Sequence, residues 1–279
     1  MGNGGLKVYF AALPTTLSHQ LEQLTGHGGD STLKKSTISN QFPSNRVVPM
    51  PQFSEYFCRN QGALTTEQQQ TLQQSRVMVV GCGGLGGYVI EQLVRVGVGH
   101  LDIFDPDGFS SSNCNRQLNA LSLSPGQTMG QNKAEVAAAR SAAIHPFNTV
   151  TSYPIDFRDS SDAAWCQVEV IVDCLDNVLA RRDLAALCTS RGIPLVHGAV
   201  NGWYGQVGVQ LPGGDLIAHL YPERTKQPQA APSVLSFTVA VVASLQVSEI
   251  VKLLLGLSSS LHNTWMPIDL KNNDFWVTE

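Results

Sequence analysis

Charge is scarce in this sequence. Only 14% of its 279 residues are Asp, Glu, Lys or Arg, and the formal net charge is −4. That balance provides no electrostatic footprint for nucleic acid or an anionic membrane surface, although it is compatible with a local basic site. The six cysteines, at 58, 82, 114, 166, 174 and 188, form no C-x-x-C pair and no small-domain disulfide spacing. Reduced thiols and a cytoplasmic location are therefore expected. No uninterrupted apolar run reaches the length of a membrane span. The most hydrophobic stretch, Phe237 to Leu257, is broken by Ser244, Gln246, Ser248, Glu249 and Lys252. It reads as a core or subunit-interface helix. The apolar run Val8 to Leu13 stops at Pro14, too short for a secretory signal.

Glycine, by contrast, is placed with a pattern. Arg76 to Gly86 reads RVMVVGCGGLG, a strand-length apolar run followed by Gly81, Gly83 and Gly86 in G-x-G-x-x-G spacing, with Gly84 inside it. Tyr88 to Val96 then carries a helical pattern. Strand, tight turn and helix together are the context that a nucleotide fingerprint needs, whereas the spacing alone is often a plain turn. A helix N-terminus reached through glycines offers free N–H groups and partial positive charge to phosphate. Further strands are predicted at His100–Phe104, Thr149–Tyr153, Val168–Val172, Ile193–His197 and Gly205–Leu211, and two short ones near Trp265–Ile268 and Phe275–Val277. Helices are predicted within Phe53–Gln74, with a capped start at Thr65 and Thr66, and over Gln131–Ile144, a segment ending at Cys188, and Phe237–Leu255. This alternation predicts an α/β fold: a Rossmann-like, doubly wound, mainly parallel sheet with a smaller C-terminal β extension. Residues 1–52 read as an N-terminal arm or small extension, and 53–279 as the nucleotide-binding domain. Within the arm, Gly28-Gly29 reads as loop.

Ligands in such sheets sit at the strand C-terminal ends. Three clusters fall there: the glycine turn, Asp105 to Gln117, and Asp173 to Asn177. Asp105 follows Gly81 at roughly the 20-residue spacing of a ribose-binding acid, the alternative being a turn or cap carboxylate. Asn113, Arg116, Gln117 and Lys133 provide donors to an anion, and Asp176 a hard oxygen ligand. Separately, each has an ordinary reading as a solvated charge or a helix cap. Jointly they fit transfer at a triphosphate, where fixed cations and Mg²⁺ meet charge on phosphoryl oxygens. Hydride transfer needs no such set.

GCGGLG, DPDGFSSSNCNRQ, GQNK and DCLDN, in that order, resemble the ThiF/MoeB/HesA family of E1-like adenylyltransferases from about Tyr56 to Leu255. The resemblance implies ATP and Mg²⁺ as cofactors. It also implies joining of AMP to a carboxylate, often the C-terminal Gly-Gly of a ubiquitin-like ThiS- or MoaD-like sulfur carrier, with release of pyrophosphate. By motif, Asp105 would hold the ribose, and Asn113, Arg116, Gln117 and Lys133 would contact the phosphates. Asp176 would bind the metal. Arg59, in Tyr56-Phe57-Cys58-Arg59-Asn60, would reach the partner subunit's site in a homodimer, although Asn60 departs from the usual Gln; a plain surface arginine is the alternative.

Two departures shape the expectation. No cysteine follows Cys188, so neither the structural Zn²⁺ of many relatives nor a downstream thioester-forming cysteine is expected. Cys82 and Cys174 read as small buried residues, and His197 as a packed, hydrogen-bonded one. Adenylation needs no general base, because the carboxylate is already ionised. His197 to Gln206 reads either as a channel for the incoming tail or as a packed turn. Alternative substrates are a small-molecule carboxylate or a modified tRNA base, the latter disfavoured by the low basic charge. An NAD-dependent oxidoreductase rests only on the glycine turn and Asp105, and a non-catalytic nucleotide binder is opposed by the Arg116, Lys133 and Asp176 set.

Overall fold

The apolar run before the glycine turn becomes the centre of a sheet. A computed structural model describes residues 52–123, 126–225 and 233–278; the expected arm lies outside these residues apart from Gln52. Strand β1 (Arg76–Val80) buries its last four residues. Its side chains alternate, as a strand requires: Val77 and Val79 join one hydrophobic cluster, Met78 and Val80 a second on the opposite face. β2 (His100–Phe104) and β3 (Thr149–Tyr153) extend from one side of β1. β4 (Val170–Asp173) and β5 (Leu195–Asn201) extend from the other, all in parallel register. β6 (Tyr204–Gln210), β7 (Thr264–Asp269) and β8 (Asp274–Phe275) continue antiparallel. The order is β3-β2-β1-β4-β5-β6-β7-β8. The predicted parallel core with a C-terminal β extension is thus the fold that forms, and its direction of winding reverses between β1 and β4.

Helices cover both faces. α1 (Phe53–Tyr56) leads in, and α2 (Thr66–Gln74) starts in a capping box, Thr65 with Gln68. α2, α3 (Gly84–Val96) and α4 (Lys133–Ala142) place Leu72, Leu93 and Ala137 in one cluster. α5 (Val178–Arg191) and α6 (Leu216–Leu220) place Leu184 and Ile217 in the other. α7 (Ser236–Leu254) returns to the first face with Val239, Val242 and Ile250. Each such side chain, fully buried, contributes about 1.5–3 kcal/mol.

Four expectations need correction. α7 is long and apolar enough to cross a membrane by length and composition, contrary to the sequence expectation, yet it buries residues from Thr238 to Ile250 against the sheet and α3. The Phe53–Gln74 segment is not one helix, because Gly62 takes a left-handed φ of +94° between α1 and α2. α3 starts at Gly84, not Tyr88, so the glycines themselves build its first turn. Finally, β5 runs on to Asn201 and turns at Gly202-Trp203 into β6. The stretch from His197 to Gln206 is therefore a hairpin, and a side chain at Gly198 would overlap Gln246 of α7.

Gly86 shows why the fingerprint spacing is strict: a Cβ there would lie 1.7 Å from the Gly81 carbonyl oxygen. Gly86→Ala is expected to destabilise the chain by about 1–3 kcal/mol or more, visible as a lowered melting temperature. An unchanged Tm would show that the turn can open without cost.

Candidate active site

β1 and β4 are parallel neighbours at the point where winding reverses, and the loops after them meet there. Gly81, at φ +96°, is so close to the second loop that a Cβ would sit 2.7 Å from the Cys174 oxygen. Gly83 is the N-cap of α3 and has no side chain to satisfy the first N–H groups of the helix. Above that helix start lie Arg116 and Gln117. The Cγ of Arg116 is 4.0 Å from a Cβ built on Gly84, and the Nε2 of Gln117 is 3.3 Å from one built on Gly83. Gln117 is buried, and its Oε1 lacks a hydrogen-bond partner. The guanidinium of Arg116 donates to the Ser112 carbonyl and to Asn115 Oδ1, at 3.0 and 2.9 Å. Asn113 folds the preceding turn, its Oδ1 accepting from the Ser110 N–H at 2.9 Å.

Asp105 ends β2 and shapes the glycine turn. Its Oδ2 accepts the Cys82 N–H at 2.7 Å, and its Oδ1 the Asp107 N–H at 2.9 Å. Burial raises its pKa above the usual carboxylate value, against the opposing effects of Lys133 and these N–H groups. Lys133 opens α4, is only 8% exposed, and pairs with Asp107 at 2.9 Å and more distantly with Asp105 at 4.0 Å. Asn132 caps α4 and donates to the Asp105 carbonyl at 2.9 Å. Asp107, largely exposed beside Lys133, is a candidate ribose contact overlooked in the sequence; its D-P-D position next to Asp105 was the available signal. Cys82 and Cys174 have thiols pushed up by burial, which fits packing rather than nucleophilic chemistry.

Asp176 is exposed between β4 and α5, and Asn177 after it caps α5 by accepting the Ala180 N–H at 3.0 Å. Among the described residues no group of three His, Cys, Asp or Glu side chains forms a metal cage. One carboxylate beside a phosphate site nevertheless suits Mg²⁺, which is commonly held by one or two carboxylates, substrate phosphates and water. Arg59 is not part of this assembly. It lies exposed in a tight turn, Cys58–Asn60, and Asn60 donates to the Val96 carbonyl at the C-terminal end of α3. The 13-residue helix separates that point from the glycine turn by about 20 Å.

Below the Asp176 loop is a buried polar cluster absent from the motif reading. Asp173 and His197 are each 0% exposed, and His197 Nδ1 lies 2.7 Å from Asp173 Oδ2. His197 Nε2 accepts from Gln206 at 2.9 Å, and Arg181 Nη1 donates to the Tyr221 hydroxyl at 2.8 Å. Burial depresses the His197 pKa despite Asp173, so the ring is neutral with its proton on Nδ1. The expectation of a packed, hydrogen-bonded histidine holds.

A model of the ThiF family matches residues 57–279. The chain belongs to the ThiF family. Among ThiF-family relatives, it is 35% identical over 217 residues to the SAMP-activating enzyme E1 of Haloferax volcanii, covering 75% of this chain and 78% of that protein. It is 36% identical over 196 residues to the molybdopterin-synthase adenylyltransferase of Salmonella typhimurium, covering 67% of this chain and 76% of that one. A crystal structure of E. coli MccB with ATP shares the fold, at TM-score 0.63 and 20% identity, over 76% of this chain and 65% of that one.

The neutral buried His197 of this ThiF-family chain sets a pH dependence. Burial holds its folded pKa below the ordinary histidine value, so as pH falls the unfolded chain takes up the proton first. This contribution is present above about pH 6.5 and is lost below it. Denaturant melts between pH 7.5 and 5.5 should show a steeper loss of stability in wild type than in His197→Gln. Equal slopes would mean that His197 protonates freely in the folded state.

Proposed function

We propose that this chain is an ATP-dependent adenylyltransferase that activates a carboxylate as acyl-AMP with release of pyrophosphate. The substrate is the C-terminal Gly-Gly of a ThiS/MoaD-like sulfur-carrier protein. One observation carries the reading: Arg116 and Gln117 lie over the N-terminus of α3, Lys133 stands beside Asp105, which holds the glycine turn, and the Asp176 loop packs against Gly81. The relatives named as molybdopterin-synthase adenylyltransferase and SAMP-activating enzyme E1 support the same chemistry and the same class of partner.

The triphosphate would lie over the uncapped start of α3, with Arg116, Gln117, Asn113 and Lys133 as donors. Asp105 and Asp107 bound the ribose side. Asp176 would hold Mg²⁺, which supplies positive charge to the phosphoryl oxygens when bound. Lys133, which pairs with Asp107, would turn to the phosphate and oppose the charge that builds as pyrophosphate leaves. The incoming carboxylate is already ionised, so the residues need only align it. Such alignment is worth roughly 7–11 kcal/mol. Arg59 lies too far along α3 to serve its own site, which supports a homodimer in which each Arg59 completes the partner's site.

ATP–pyrophosphate exchange tests the reading, with Gly-Gly-ended carriers, small carboxylates and tRNA offered in parallel. Exchange is expected only with a carrier; exchange with a small carboxylate or tRNA alone would reassign the substrate. Lys133→Ala should lower the rate about 10²–10³-fold, and Asp176→Ala should abolish it; full activity in either would remove that residue from the site. Inactive Arg59→Ala and Asp176→Ala chains, mixed as dimers, should recover activity, since one composite site stays intact. Proven mixed dimers without recovery would exclude the role of Arg59 in trans.

A further inference from the structure

The buried cluster beneath the Asp176 loop reaches it through Leu175 and Arg181. The Leu175 N–H donates to Asp173 Oδ1 at 3.0 Å. The Leu175 carbonyl accepts from Arg181 Nη2. On the other side of Asp176, the Asn177 carbonyl accepts the Arg181 backbone N–H at 3.1 Å, while the Asn177 side chain caps α5. The backbone of Asp176 is thus bracketed, by the start of α5 on one side and by the Arg181 guanidinium on the other.

We propose that Arg181 is the positioning residue for Asp176, with Asp173, Tyr221, Gln206 and His197 fixing the plane of its guanidinium. The inference rests on the reading of Asp176 as the Mg²⁺ ligand. Arg181 is only 6% exposed, and a buried guanidinium is retained only when its charge and its N–H groups are satisfied. Burial works most strongly against its charge, but Asp173, Tyr221 and Asp176 together outweigh it, so it stays protonated. Its Nε lies 3.9 Å from Asp173 Oδ2, its Nη1 bonds the Tyr221 hydroxyl, and its Nη2 bonds Leu175. That fork is a task for arginine: lysine would keep the positive charge beside Asp173 but cannot reach three partners from one plane. Gln206 donates to both His197 Nε2 and the Tyr221 hydroxyl, each at 2.9 Å, which locks the two rings together. His197, neutral, adds a hydrogen bond to Asp173 without competing for its charge. The residues come from β4, α5, β5, β6 and the segment after α6, so the seat of Asp176 is set by the whole second half of the sheet.

Two variants test this, Arg181→Lys and the milder Tyr221→Phe. ATP binding is measured by calorimetry in EDTA and across a Mg²⁺ titration, with thermal melts run beside it. For Arg181→Lys, ATP affinity in EDTA should equal that of wild type. The Mg²⁺ concentration needed for half of the affinity gain should rise about 10-fold or more, the scale of lost outer-shell support at metal sites. Tyr221→Phe should move it the same way by less, and decides the matter if Arg181→Lys does not fold. Folded variants with wild-type Mg²⁺ dependence would overturn the proposal, as would a wild type whose ATP affinity ignores Mg²⁺. A wild type that gains ATP affinity with Mg²⁺ yet exchanges no pyrophosphate with any carboxylate would sink the adenylation reading and leave this comparison standing.

Discussion

The carbonyl of Gly81 and the first turn of α3 share a space that holds no side chain, and the site is built around that contact. With Gly86 against Gly81, and Gly81 against the Cys174 carbonyl, three backbone segments meet where side chains would normally keep them apart. The close approach seats the uncapped start of α3 at the C-terminal ends of β1 and β4. It also presses the Asp176 loop against the phosphate side of the crevice. Asp105 completes the arrangement from β2 by accepting the Cys82 N–H. A buried carboxylate is costly unless hydrogen-bonded, and here two backbone donors and a nearby lysine offset part of that cost.

Charge follows the same geometry. A chain with few charged residues gathers Arg116, Lys133, Asp105, Asp107 and Asp176 around one crevice, and burial of Lys133 and Asp105 strengthens the interaction between those two. Beneath it Asp173 and Arg181 neutralise one another, and the depressed pKa of His197 keeps the imidazole from adding a second positive charge. One cluster faces the ligand and the other faces the core, and the Leu175 backbone joins them.

Much of the fold was legible because its signals are local. The periodicity of β1, the glycines after it and the strand-then-polar pattern at Asp173–Asn177 are each read within about a dozen residues, and the structure places them as read. The start of α3 was misjudged because glycine has weak helix propensity, whereas here tertiary contact with β1 selects it. The His197–Gln206 hairpin was ambiguous, since Gly198 is required by Gln246, a residue 48 positions later in a different element. Arg181, Gln206 and Tyr221 carry no motif at all. Only the pairing of β5 with β6 and the docking of α5 bring them to Asp173. Arg59 was read from a local pattern, and its distance from the crevice emerged only with α3 in place.

One helix touches three separate turns around the crevice. Along α7, Thr238 donates to the Gly202 carbonyl, Val239 abuts Gly84, and Gln246 donates to the Asp173 carbonyl. A single rod thus braces the hairpin turn, the glycine turn and the base of the Asp176 loop. None of the three can shift without disturbing the same rigid body. The conformational entropy of aligning them is therefore spent once, at folding, rather than at each encounter with nucleotide. A crevice built this way behaves as a fixed mould: adaptation to different carboxylates must come from the incoming chain.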